Sequence, residues 1–253
     1  MRVGEVDHAR ACAQHARLLT IVRTLGASVT QLPFVHGGFD SVFAKDNALY
    51  VARDREERAV LGSFRHDERA IEQAARARDL RRENLAVDEG PTFEGGDLCV
   101  LPGQSAWLGY GFRSSRDATA PLGDILGTRV TPLELVDEAL YHLDTAMAVL
   151  ADGTTLACAA AFTSSSRRAL ETSAAGEVVW VSREAATRFA LNFVEVGDTV
   201  VTGTDSSEVT AILGARGKRV VVTPLDEFQR AGGSAACLLA PVHDLDAVAA
   251  LAA

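Results

Sequence analysis

A cysteine, a histidine and a set of carboxylates, spread over two hundred residues, make a combination that could do chemistry together: Cys237, His142, Asp40, Asp46, Glu94, Asp97 and Asp144. Charged groups are seldom buried unless they are paired or have a task, yet these interrupt stretches that otherwise read as core. His142 and Asp144 stand two apart in YHLDTAMAVL (141–150), so on an extended chain both would face one way. A thiolate attacks electrophiles. An imidazole passes a proton to a leaving group and takes one from water. Carboxylates grip a planar cation through paired hydrogen bonds. These parts suit attack on the carbon of a guanidinium, which resonance makes a poor electrophile with poor leaving groups. Singly, each has a plainer use. Asp40 and Asp46 would serve as turn or capping residues, Asp97 as an acceptor for loop backbone, His142 as a hydrogen-bonded core histidine and Cys237 as an inert buried thiol. Cys12, on a helix, and Cys99 and Cys158, in apolar strands, take that plain reading.

The elements that must bring these residues together are legible in outline. Residues 7–27 place Ala11, His15, Leu18, Leu19, Val22 and Leu25 at helical spacing, with Asp7 as N-cap and Gly26 as terminator. SVTQLP (28–33) reads as a short strand. Residues 36–53 read as a loop, a strand, a turn near Lys45 to Asn47 and a second strand. Residues 66–84 read as a helix with charge on its outer face. FEGGDLCVLPGQSAWLGYGF (93–112) reads as a glycine-rich loop and two strands about a turn at Pro102–Gly103. Residues 139–162 repeat the scheme around Asp152–Gly153, and 192–203 around Gly197–Asp198. A helix at 205–217, a strand at 219–225 and a glycine-rich lead into a last strand at 232–242 complete the chain. Hairpin, helix and strand thus recur at least four times without a repeated sequence, which suggests a pseudo-symmetric α/β arrangement. No linker rich in Pro, Gly or Ser divides residues 1–253, so one domain is expected.

Bulk properties narrow the function. The 253 residues are 47% hydrophobic and 23% charged, with a net charge of −9. That balance argues against nucleic acid or an anionic membrane as partner and fits a small cationic substrate. The four cysteines form no C-x-x-C pair, and no histidines have zinc-ligand spacing. No zinc centre is therefore expected, and the thiol chemistry above needs no metal or organic cofactor. Reduced thiols, charge throughout the first 25 residues and no apolar run of membrane length suggest a cytoplasmic protein. Monomer and homodimer both remain open.

FEGGD (93–97), HLDT (142–145) and GGSAAC (232–237) resemble motifs of the guanidino-modifying, or pentein, superfamily: arginine deiminases, dimethylarginine dimethylaminohydrolases and amidinotransferases. DSVFAKD (40–46), FRHDER (64–69) and GYGFRSS (109–115) resemble three further family segments, and all six stand in family order. The resemblance implies a five-bladed α/β propeller of ββαβ units. Family members usually carry a strand and loop before the first helix, so the first blade is read as truncated. By the same resemblance Cys237 is the nucleophile that forms a covalent thiouronium, and His142 the general acid and base. Glu94 binds the guanidinium and supports the histidine, while Asp46 and Asp144 clamp the guanidinium. Asp40 contacts the amino-acid end of the substrate, with Arg65 and Arg113 as carboxylate anchors and Arg69 close enough to compete with Arg65. An aspartate two residues after the histidine resembles the deiminase branch, as does Lys45 before Asp46. The short length resembles the dimethylarginine hydrolases. The implied activity is hydrolysis of a guanidino C–N bond to a ureido product such as citrulline. An amidinotransferase, or a non-catalytic binding protein on the same fold, are the alternatives.

Overall fold

The computed structural model describes residues 6–101 and 105–246. The chain opens with helix α1 (His8–Thr24), capped by Asp7, whose side chain accepts from the Arg10 amide. Its Leu18, Leu19 and Val22 are buried, and Gly26 follows the helix at φ +99°, a conformation natural to glycine. Four units of one order follow. The first is β1 (Ala48–Arg53), β2 (Glu56–Leu61), α2 (Ala70–Arg82) and β3 (Ala86–Glu89). The second is β4 (Leu98–Leu101), β5 (Ser105–Tyr110), α3 (Thr119–Leu126) and β6 (Val130–Glu134). A single helical turn, α4 (Leu143–Ala146), introduces the third: β7 (Met147–Val149), β8 (Thr155–Ala157), α5 (Ser164–Ser173) and β9 (Val178–Trp180). After α6 (Arg183–Thr187) comes the fourth: β10 (Phe193–Val196), β11 (Thr199–Thr202), α7 (Ser207–Ala215) and β12 (Arg219–Val222). The chain ends in α8 (Asp226–Ala231), the one-turn α9 (Ala235–Leu238) and β13 (Val242–Asp244).

In every unit the first two strands pair antiparallel and the third adds parallel to the second. A parallel neighbour needs a crossover connection, and the helix supplies it. The hairpin–helix–strand order expected from the sequence therefore occurs four times in a mixed α/β fold. β13 then pairs parallel with the free side of β1, Tyr50 opposite Val242. That pairing sews the end of the chain, with Cys237 just before it, onto the first unit. Cys237 belongs to an apolar cluster with Leu18 and Val22 of α1, Leu225 and Phe228 at α8, Leu238 of α9 and Phe43. No helix among the described residues is long and apolar enough to cross a membrane.

Several local expectations need correction. The first hairpin lies later than expected. Residues 39–47 form two 3-10 turns, Phe39–Val42 and Ala44–Asn47, in place of a strand. Short polar side chains hold them there: the Ser41 hydroxyl accepts from the Val35 amide and Asp46 from the Gly96 amide. The real hairpin turn is Asp54–Arg55, both at positive φ, as the right-handed strand twist favours. Residues 28–33 form no strand, because Arg23 and Arg76 take the carbonyls of Val29 and Pro33. His142 and Asp144 do not alternate along a strand; the Asp97 carboxylate accepts the Leu143 amide and starts the helical turn α4, with His142 at its N-cap and Asp144 within it. Residues 235–238 are likewise a helical turn. The charge of α2 is divided: Arg78, Arg81 and Arg82 face outward as expected, while Glu72 and Arg76 are buried, paired with Arg69 and Asn47. The Pro102–Gly103 turn lies outside the described residues.

Candidate active site

Cys237 is presented by a backbone that only small residues allow. Gly232 sits at φ +105°, its carbonyl accepting from the Tyr141 hydroxyl at 2.8 Å. A Cβ on Gly233 would stand 2.8 Å from Cδ1 of the Phe43 ring and 3.0 Å from the Cys237 Cβ. The thiol that emerges is 3% exposed. Its Sγ donates towards Asp144, at 3.5 Å from Oδ2 and 3.7 Å from Oδ1. It also accepts from the side-chain amide of Asn192 at 3.1 Å. Lys45, the residue before Asp46, donates to Asp144 Oδ2 at 3.2 Å. α4 and the Ala44–Asn47 turn thus bring an acid and its counter-charge to the sulfur. A cavity of about 140 Å³ lies beyond this pair, lined by Lys45, Cys99, Asp144, Glu195 and His243, while Cys237 and His142 do not line it.

His142, extended at the start of α4, points into a second group of charges. Its Nε2 is 3.0 Å from Glu94 Oε2 and its Nδ1 3.7 Å from Asp46 Oδ1. Gly96 makes that approach possible: a Cβ there would lie 2.6 Å from Asp46 Oδ1 and 2.8 Å from His142 Nδ1. Arg69 bridges the two carboxylates with one nitrogen, 2.9 Å from Asp46 Oδ2 and 2.8 Å from Glu94 Oε2. Its remaining nitrogens are held by Glu72 at 3.0 and 2.9 Å. Arg113 approaches Glu94 Oε1 at 3.4 Å and lies over the Tyr141 ring at 4.9 Å. Beneath them the buried Asp97 accepts from the Ser114 amide and hydroxyl and from the Leu143 amide, so it does the backbone work that its loop position suggested.

The charges shift one another. Burial would lower the His142 pKa, but the carboxylates of Asp46, Asp97 and Glu94 outweigh it and raise it to about 9. Burial would raise Glu94; the bond to protonated His142 and the Arg69 and Arg113 charges outweigh that and bring it down to about 2. Burial raises Asp46 above the usual carboxylate range, with His142 and Arg69 pulling the other way. For Lys45, burial is outweighed by Asp144, and its pKa is raised. Burial, then Asp144 and Asp46, push the Cys237 thiol well above its ordinary value. At neutral pH in the ligand-free protein the sulfur therefore carries its proton and the imidazole is an imidazolium beside a carboxylate.

The structure brings Cys237, Asp144, His142, Glu94, Asp46 and Arg113 into two adjoining clusters joined through α4 and the Ala44–Asn47 turn. Arg65 stays outside them, exposed, donating to the carbonyls of Gly111 and Phe112 and so tethering the loop that carries Arg113. Asp40 is half-buried in the first 3-10 turn and makes no hydrogen bond to these clusters. Three members were not assigned to the site from sequence. Arg69, named only as a competitor of Arg65, is the arginine that enters the site, in an Arg-x-x-Glu pair with Glu72 at helical spacing. Lys45 was noted only as a branch marker, and nothing local marks Asn192. Donor atoms of Asp46, Glu94 and His142 lie within 4.8 Å of one another, a spacing that could hold a metal ion. Arg69 already supplies positive charge to both carboxylates, so a metal would have to displace or repel that guanidinium.

Residues 3–244 match the protein family described as N,N dimethylarginine dimethylhydrolase, eukaryotic. The bifunctional arginine dihydrolase/ornithine cyclodeaminase AgrE of Nostoc sp. is 36% identical over 205 residues, 79% of this chain and 29% of that protein. The chain thus spans under a third of that relative's length. The N(G),N(G)-dimethylarginine dimethylaminohydrolase of Mycobacterium tuberculosis is 34% identical over 244 residues, 94% of this chain and 78% of that one. Among solved structures, the N-terminal domain of ArgZ, a cyanobacterial arginine dihydrolase, bound to substrate superposes with a TM-score of 0.88 at 30% identity, covering 95% of this chain and 90% of that one. The same domain covalently bonded to a reaction intermediate gives 0.88 at 31% identity, covering 95% and 89%.

Proposed function

The chain belongs to the dimethylarginine dimethylaminohydrolase and arginine dihydrolase family of guanidino-modifying enzymes, and on that premise we propose that it is a cysteine hydrolase of arginine-type guanidinium groups. The observation that carries the reading is a buried thiol 3.5 Å from one carboxylate, Asp144, with its proton affinity raised further by a second, Asp46. A guanidinium entering between those acids is a planar cation that both can grip through paired hydrogen bonds. Its charge offsets the two that hold the proton on sulfur, so binding substrate would itself ionise the nucleophile.

In the reaction proposed, the Cys237 thiol releases its proton to solvent as the cation binds, and the thiolate attacks the guanidinium carbon. His142, protonated at neutral pH, gives its proton to the departing nitrogen, which leaves as ammonia or an amine. The carbon stays bonded to sulfur as a thiouronium. Neutral His142 then takes a proton from water, the oxygen adds to the carbon, the C–S bond breaks and the ureido product leaves with the thiol restored. Glu94 holds the imidazole through the 3.0 Å bond to Nε2, and Arg69 keeps Asp46 and Glu94 aligned. Arg113 is the proposed anchor for the substrate's carboxylate and Asp40 the proposed contact at its amino end, while Arg65 acts by tethering the loop that carries Arg113. The four ββαβ units are read as blades of a propeller surrounding this pocket, with β13 joined to the sheet of the first. No resident metal or organic cofactor enters the scheme.

Asp144 decides between substrates. With Asp46 it offers carboxylate oxygens to both terminal nitrogens, and methyl groups on one nitrogen would remove its hydrogens and crowd the acid. Arginine is therefore the proposed substrate and citrulline the product. The test is a turnover comparison of arginine, monomethylarginine and asymmetric dimethylarginine, assayed for citrulline. Arginine is expected to exceed the dimethylated compound in kcat/KM by roughly 100-fold or more, since a buried acceptor left without its donor is costly. Equal or preferred turnover of dimethylarginine would reverse the assignment. Transfer of the amidino group to an added amine would make the protein a transferase.

A further inference from the structure

Asn192, at the start of the fourth hairpin, is wholly buried and uses every hydrogen-bonding position of its amide. Its Oδ1 accepts from the backbone amides of Ala236 at 3.0 Å and Cys237 at 3.3 Å. Those two N–H groups fix which end of the amide is oxygen. The Nδ2 must then face the other way, where it donates to the Asp144 carbonyl at 3.0 Å and to Cys237 Sγ at 3.1 Å. One side chain therefore holds the turn that carries the nucleophile, the turn that carries the acid beside it, and the sulfur itself.

We propose that Asn192 is a further catalytic residue, whose side-chain N–H stabilises the Cys237 sulfur as it becomes an anion. The proposal rests on the reading of Cys237 as nucleophile. A thiol sulfur is a weak acceptor and a thiolate a strong one, so this hydrogen bond strengthens as the proton leaves. It is the one neutral side-chain donor on the sulfur among the described residues, and with the Ser234 backbone amide and the charge of Lys45 it opposes the burial and the acids Asp144 and Asp46 that disfavour ionisation there. An interaction stronger in the reacting state than in the resting one raises kcat in preference to tightening substrate binding. The Oδ1 contacts keep the sulfur in line at no cost in charge.

The test is the pH dependence of Cys237 alkylation by iodoacetamide in ligand-free protein, read on the Cys237 peptide by mass spectrometry, because the exposed Cys12 also reacts. Wild type is compared with Asn192→Ser and Asn192→Ala, alongside kcat and KM for arginine. The midpoint is expected to move to higher pH by about one unit, the size of a hydrogen bond to a charged group. kcat should fall ~10-fold or more while KM changes little. A fall in kcat with the midpoint unmoved would make Asn192 a purely structural residue and overturn the proposal, as would an unchanged kcat. If neither variant folds, the wild-type side-chain amide resonance of Asn192 decides: it should shift as Cys237 titrates, and an unshifted resonance overturns the proposal. Failure of the underlying reading looks different, because Cys237→Ser would then turn over like wild type.

Discussion

Cys237→Ala is expected to abolish turnover of arginine, by about 10⁴-fold or more, while the protein still binds it. Loss of a covalent nucleophile costs this much where it acts in concert with its neighbours. The carboxylates that grip the cation come from other segments: Asp46 from the Ala44–Asn47 turn and Asp144 from α4. Removing the sulfur takes away a thiol proton donated to Asp144, leaving that acid bound to Lys45 and able to accept from the guanidinium. The variant should therefore show an arginine-dependent rise in melting temperature at least equal to that of wild type, because a ligand that binds only the folded state stabilises it. Residual activity within ten-fold of wild type would end the covalent scheme. Loss of arginine binding together with activity would mean that the alanine disturbed the pocket, and Cys237→Ser serves as the second variant.

His142→Asn should lower kcat by roughly 10³-fold and remove the alkaline limb of its pH profile. General acid–base catalysis by one positioned group contributes on this order, and here one imidazole serves both halves of the reaction. The sign follows from its raised pKa. The imidazolium is the acid that protonates the leaving nitrogen, and Asp46, Asp97 and Glu94 keep it protonated up to about pH 9. Turnover should therefore fall as pH rises, on a limb at or below that value, because the bound cation that lowers the thiol lowers the imidazolium too. The acid limb of kcat belongs to the thiol in the complex, where the bound cation has lowered its pKa. It should lie below the midpoint for alkylation of the free thiol. A wild-type profile with no alkaline fall, or an Asn variant that keeps one, would assign the proton transfers elsewhere.

The order of elements was legible where hairpins carry local marks, as at Asp152–Gly153 and Gly197–Asp198 between apolar residues, and the first hairpin was misplaced because its turn, Asp54–Arg55, carries no glycine. The turns that present the chemistry were not. α4 and α9 are single turns of four residues, too short to show a helical period, and both sit in stretches whose apolar composition reads as strand. The start of α4 is dictated by Asp97, 46 residues before Leu143, and no window along the chain contains both. The same holds for the contact between Cys237 and Asp144, 93 residues apart: short motifs in family order named the partners, and the pairing of β13 with β1 shows how they meet. Burial of Glu72 and Arg76 is not legible because charges on an amphipathic helix ordinarily face water, as Arg78, Arg81 and Arg82 of α2 do. Arg69, Glu72 and Arg76 instead face other charged and polar side chains supplied by the Ala44–Asn47 turn and the Glu94 loop.

The most direct measurement is intact-protein and peptide mass spectrometry of enzyme acid-quenched during turnover of arginine. The account predicts an adduct on Cys237 with the mass of arginine less ammonia, formed and lost at rates that match turnover and absent from Cys237→Ser. Turnover to citrulline with Cys237 unmodified at every quench time, or an adduct carried by another residue, would contradict it.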